Sequence, residues 1–125
     1  MSESNGTREG YHTITPRIVV DDVAAQVDFL RLVFEASGEV EPDRPAEMRI
    51  GDSLLMVTSA TQRERFPAFL YVYVSQADEV YQRAIAAGAV PLEAPIDTPY
   101  GDRRGMVRDP FGNIFQIAHR IAVDS

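Results

Sequence analysis

The chain opens on ten polar or small residues and then changes character. Residues 14–20 are rich in β-branched side chains and predict a strand. Asp21 and Asp22 supply an N-cap and negative charge for a following helix. Val23, Val27, Leu30 and Phe34 then recur at spacings of four, three and four, which places them on one helical face. Gly38 fits the residue just past the helix end. Three short segments follow, near 39–43, 45–50 and 53–60, the last two joined by a Gly51-Asp52 turn.

The same order returns in the second half. Residues 68–74 predict a strand in which Phe69, Tyr71 and Tyr73 alternate with Leu70, Val72 and Val74. Alternation sends the two sets to opposite faces. Ser75 is the expected N-cap, with Asp78 three residues on as a weak capping box. Val80, Ala84 and Ala87 share a helical face that Gly88 terminates. Strands are expected near 89–94, 103–108 and 113–120, the last two joined by Asp109-Pro110-Phe111-Gly112. Val20 and Val74 close the first strand of each half, 54 residues apart, and the final strands align at an offset of 60. The pattern is an α+β chain with β-α-β-β-β written twice. The expected organisation is a mobile tail over 1–11, modules over 12–60 and 68–120, a linker over 61–67 and a C-terminal tail over 121–125.

Composition narrows the possible chemistry. The 125 residues, 45% hydrophobic, suffice for a core. The absence of Cys excludes disulfides, thiolate metal sites and cysteine nucleophiles. All 12 basic residues are Arg, so there is no Schiff-base or Walker-type lysine. A formal charge of -7 argues against nucleic acid as a partner. No apolar run reaches a membrane span, and the N-terminus has no secretory h-region. A cytoplasmic protein is the expectation.

The run from Ile14 to Phe29, ITPRIVVDDVAAQVDF, resembles the opening strand and helix of the vicinal oxygen chelate superfamily. That group includes the glyoxalase, bleomycin-resistance and extradiol dioxygenase proteins. The run from Gly101 to Gln116, GDRRGMVRDPFGNIFQ, resembles the superfamily's closing segment more closely. The resemblance covers residues 12–120. It implies that each half curls its strands into half of an open barrel, that the halves form a cup for a ligand, and that the chain pairs as a homodimer. It also implies where a metal would sit, with one ligand on the first and last strand of each half. Those positions here are Thr15, Met56, Phe69 and Gln116. Thr15 coordinates weakly, Met56 is a soft thioether, Phe69 cannot coordinate, and only Gln116 offers a suitable oxygen. The expectation is therefore no metal and no cofactor.

His12 and His119 read as edge or surface histidines, His119 pointing to the helix side or to solvent; a paired site between two strand ends remains an alternative. No G-x-S-x-G motif announces a nucleophile. The acidic run Glu35, Glu39, Glu41, Asp43 and Glu47 reads as protection of an edge strand. Arg103 or Arg104 could grip an anion in a bidentate fashion, or an arginine could pair with Asp102 inside the turn. The remaining candidate lining is Met56, Phe69, Tyr71, Tyr73 and Tyr100, with Thr15, Arg17 and Gln116 as polar members. That set suits a flat, partly aromatic organic ligand, unless the side chains simply fill the space. No convincing catalytic residue stands out. The first functional reading is a metal-independent binding protein of the bleomycin-resistance type that sequesters an aromatic or cationic natural product. The alternatives are a lyase, isomerase or dioxygenase of the same superfamily, or a module with no ligand.

Overall fold

In a computed structural model, which describes residues 6–61 and 64–121, the predicted order of elements appears twice, with one strand fewer in the first half. The chain divides into two compact units, Met1–Arg31 with Glu35–Phe66, and Leu32–Phe34 with Pro67–Ser125. The predicted tails fall in part outside the described residues; within them, Arg8 pairs with Glu47 at 2.6 Å and lies over the Tyr11 ring.

The first unit runs β1 (Arg17–Val20), α1 (Val23–Phe34), β2 (Ala46–Ile50) and β3 (Ser53–Ser59). Its sheet has the order β1-β3-β2, with β1 parallel and β2 antiparallel to β3. Ile18, Val20, Met48, Leu55 and Val57 turn inward and are buried, as are Val27 and Leu30 of α1. Asp22 is the N-cap, its carboxylate accepting from the Ala25 N–H at 3.0 Å.

Three expectations for this unit need correction. Strand β1 begins at Arg17, so Thr15 precedes it. The strand expected over 39–43 does not form, and only Ser37 bridges to Arg49. Pro42 within the stretch and Pro45 just after it lack the N–H a ladder requires, and the neighbouring Glu39, Glu41, Asp43 and Arg44 favour solvent over a pleated surface. Gly38 does not end the helix either. Glu35 takes the left-handed conformation at the cap (φ 57°). Gly38 (φ 142°) instead lies where a Cβ would strike the Glu47 carbonyl, so it admits β2 at close range.

The second unit runs β4 (Phe69–Tyr73), α2 (Ala77–Ala86), β5 (Val90–Asp97), β6 (Asp102–Arg108) and β7 (Ile114–Arg120). Its sheet order is β4-β7-β6-β5, with β4 parallel to β7 and the other pairs antiparallel. Strand β5 is an edge, and its register with β6 slips twice near Pro91 and Pro95, residues suited to an unpaired edge. Phe115, Ile117 and Val107 are fully buried, with Val80, Tyr81 and Ala84 of α2. Gly105 on β6 allows that packing, since a Cβ there would come within 2.9 Å of the Tyr81 ring.

The Asp109–Asn113 turn does more than set backbone angles. Asp109 Oδ1 accepts from the N–H groups of Phe111 and Asn113, at 2.9 and 2.8 Å. Asn113 Oδ1 accepts from the Ala68 N–H at 2.8 Å, tying the turn to the start of β4. Both polar residues are buried and satisfied, Gly112 (φ 96°) closing the loop between them.

The predicted cap of α2 is also revised. Gln76 occupies the N-cap position without a side-chain bond. His119 Nδ1, reaching from β7, accepts the Ala77 N–H at 2.8 Å. Asp78, expected in a capping box, pairs with Arg103 instead.

Candidate functional site

Sheet register groups side chains before any contact is considered. Tyr71 pairs with Gln116 and Gln116 with Met106, while Tyr73 pairs with Ala118 and Ala118 with Arg104. Arg120 pairs with Asp102. These residues therefore share one face of the second sheet, opposite the face beneath α2. Phe69 and Tyr73 stand 64% and 62% exposed there, which leaves their rings open to a partner.

Asp102 organises this face. It is 1% exposed, and burial of a carboxylate is costly unless donors surround it. Oδ2 accepts from the hydroxyls of Tyr71 and Tyr73, at 2.7 and 2.8 Å. Oδ1 accepts from Arg120 at 3.2 Å. The Thr98 hydroxyl donates to the Asp102 carbonyl at 2.8 Å and accepts its N–H at 3.0 Å, holding the backbone of the turn. Tyr71, followed by Tyr73 and Arg120, holds the Asp102 carboxyl below its ordinary range although burial opposes this. In return Tyr73 is pushed up, chiefly by its bond to Asp102, and Tyr71 is pushed up by burial and then by its Tyr100 and Asp102 neighbours. The two rings meet at 5.3 Å and 58°, a tilted aromatic pair.

Tyr100 lies in a different environment. Its hydroxyl accepts from Arg104 Nη1 at 3.0 Å and lies 3.5 Å from the Tyr71 hydroxyl. Arg104 Nη2 binds Glu93 at 2.7 Å. The Tyr71 hydroxyl and the Arg104 guanidinium together draw the Tyr100 phenol below the ordinary tyrosine value.

The structure thus brings together Tyr71, Tyr73, Tyr100 and Gln116 of the expected site, with Phe69 on the same strand face as the two tyrosines. In the first unit it brings together Arg17 and Met56, which pair in register, Arg17 Nη2 donating to Met56 Sδ at 3.0 Å. Arg103 does not join the open face. Its position on β6 sends it to the α2 side, where it takes Asp78 in a bidentate grip at 2.8 and 3.1 Å and Asp97 at 3.0 Å. The arginine that pairs with Asp102 is Arg120, from β7 rather than from the turn. Arg120 and Glu93 were not among the expected site residues; Arg104 was expected only as an alternative anion grip, and Asp102 only as the partner of an arginine in its own turn. One signal was available: two tyrosines on a half-buried face need an acceptor, and Asp102 is the acidic residue that opens the strand two places across.

The four positions that the resemblance implies for a metal, Thr15, Met56, Phe69 and Gln116, carry a hydroxyl, a thioether, a phenyl ring and an amide, and the thioether already accepts from Arg17. That donor set does not fit a divalent ion. Among the described residues no group of three or more His, Asp or Glu side chains converges as a metal site. No helix among them is long and apolar enough to cross a membrane.

Comparison with known proteins gives three results. A family model described as the Glyoxalase/Bleomycin resistance protein/Dioxygenase superfamily matches residues 10–117. An uncharacterised protein of Mycobacterium bovis is 31% identical over 86% of this chain and 83% of its own, and one from Mycobacterium tuberculosis strain H37Rv is 31% identical over 86% and 74%. Among solved structures, TioX of Micromonospora sp. ML1 superposes with a TM-score of 0.76 at 24% identity, covering 88% of this chain and 99% of that one. A glyoxalase/bleomycin resistance protein/dioxygenase family enzyme of Burkholderia phytofirmans PsJN follows at 0.73 and 23%, over 84% and 95%. At these identities the two structures share the fold.

Proposed function

The chain belongs to the Glyoxalase/Bleomycin resistance protein/Dioxygenase superfamily, and from that premise we propose that it is a metal-independent small-molecule-binding protein. The ligand would be an aromatic natural product, neutral or cationic, held rather than consumed. The observation that carries this reading is the exposed aromatic face of the second sheet, with Tyr71 and Tyr73 fixed by the buried Asp102 carboxylate. Rings whose hydroxyls are already committed lose little freedom when a ligand stacks on them, which favours affinity. Aromatic faces also attract cations, and the charge of -7 draws them in from solution. Gln116 supplies an amide on the same face for orientation.

The chain has no Trp and five Tyr, of which Tyr71, Tyr73 and Tyr100 lie on or beside this face, so the part of the tyrosine emission that these three contribute reports on it. Titration with a panel of planar aromatic compounds, cationic and neutral, should give saturable quenching, weakened by Tyr73→Ala. Calorimetry with the same panel provides an independent reading. A panel-wide absence of heat and quenching would refute the proposal. The competing lyase, isomerase or dioxygenase reading requires stoichiometric metal in protein purified without chelator, together with turnover that depends on it.

A further inference from the structure

The three phenols of the open face do not share one role. Tyr71 and Tyr73 each have a single proton, and both protons point at Asp102 Oδ2. The contact between the Tyr71 and Tyr100 hydroxyls is long, at 3.5 Å, and either oxygen could donate in it. The strong contact of the Tyr100 hydroxyl is the Arg104 guanidinium, which donates to its oxygen. A guanidinium on a phenol oxygen stabilises the phenolate and leaves the phenol's own proton to be given away. Arg104 is itself anchored by Glu93, and Arg120 holds the Tyr100 carbonyl as well as Asp102, so the ring is fixed from both ends. Tyr100 is half exposed, so its hydroxyl edge is accessible.

We propose that Tyr100 is a proton-exchanging phenol, and that the open face takes a planar ligand bearing an enol or phenol hydroxyl beside it. This rests on the ligand-binding reading given above and assigns that ligand its polar end. With one of the two hydroxyls first ionised by loss of its proton to solvent, the step moves the remaining proton between Tyr100 Oη and the ligand oxygen, with no other bond made or broken. The negative charge settles on one oxygen or the other, and Arg104 balances it when it rests on Tyr100. The charged group against the Tyr100 hydroxyl is Arg104, which favours the phenolate and is itself paired with Glu93, while Arg120 holds the Tyr100 carbonyl and pairs with Asp102.

A ligand-free measurement decides the first part. Phenolate absorbance followed against pH, with circular dichroism confirming the fold at each point, should show one of the five tyrosines ionising ahead of the rest. Tyr100→Phe should delete that first step, and Arg104→Gln should delay it. A first step that survives Tyr100→Phe, or no early step at all, overturns the assignment. The second part uses para-nitrophenol and para-nitrotoluene as probes. The wild type should prefer the phenol by about fivefold or more, and Tyr100→Phe should abolish the preference. A preference that persists in the variant overturns the pairing. If neither probe binds, the enol or phenol class is overturned, while binding elsewhere in the aromatic panel would leave the ligand-binding reading standing.

Discussion

The first and second sheets share a plan and diverge in chemistry. In the first, a parallel strand pair sets Arg17 beside Met56; in the second, the equivalent pair sets Tyr71 beside Gln116. The sequence offsets of 54 and 60 equate those positions, so identical backbone registers carry unlike side chains. The first sheet has three strands and an exposed Arg–thioether contact. The second has four, and the additional β5 supplies Glu93 to hold Arg104 and leads into the turn that carries Tyr100 and Asp102. A duplicated scaffold can therefore keep its pairing rules in both copies while one copy specialises, because register is set by the backbone and the buried face, and the open face is left free to vary.

The largest effect should come from the centre of the specialised half. Asp102→Ala strands two tyrosine hydroxyls and Arg120, and the expected fall in Tm is roughly 10 °C or more. The pH dependence has a definite sign. The folded carboxyl lies below its ordinary value, so its stabilisation is complete above the unfolded-state range, about 4, and is lost as pH falls through the folded value. Asp78, lowered by Arg103, acts in the same direction. Thermal melts from neutral to acid pH should steepen below about pH 4 in the wild type and flatten in the variant; parallel curves would contradict this account of Asp102.

Paired glycine substitutions compare the two halves directly. Gly38→Ala in the first unit meets both a positive φ and a backbone carbonyl, and should cost about 2–4 kcal/mol. Gly105→Ala in the second has an ordinary φ and meets the Tyr81 ring edge, so about 1–2 kcal/mol is expected. Denaturant titration of both variants tests the ranking, and a reversed order would show that Tyr81 is held more rigidly than the β2 backbone. His119→Ala removes the acceptor that caps α2 from β7 and should cost about 1 kcal/mol, read by melting and helical dichroism. Arg17→Ala, removing an exposed contact in the first sheet, should change stability by no more than about 0.5 kcal/mol. A larger loss would mean that the Arg17–Met56 pair has a structural role comparable to the Asp102 network.

Periodicity made the helices and most strands legible, since 3.6- and 2-residue patterns follow directly from which face is buried. It misled at 39–43, where a short mixed stretch was expected to pair and Pro42, with Pro45 just beyond, lacks the backbone donor. Strand parity placed Phe69, Tyr71 and Tyr73 on one face, as found. The same parity, had it been applied to Asp102, Arg103 and Arg104, separates Arg103 from its neighbours, yet proximity in sequence suggested treating the two arginines alike. The partner of His119 was beyond local reading, because the cap and the capped helix are 42 residues apart.

By itself, the sequence determined the repeated strand–helix–strand order, the closing Asp109–Asn113 turn and the alternation that turns three aromatics outward. These are local properties, governed by backbone sterics and by the period of apolar residues. Only the tertiary structure decided which polar groups meet. Asp102, Tyr71, Tyr73, Tyr100, Arg104 and Arg120 come from three strands and a turn, and their bonds depend on a register fixed by the hydrophobic face beneath them. The buried carboxylate shows why that step is not local: it is tolerable only where distant donors converge, and that convergence belongs to the sheet rather than to any segment of the chain.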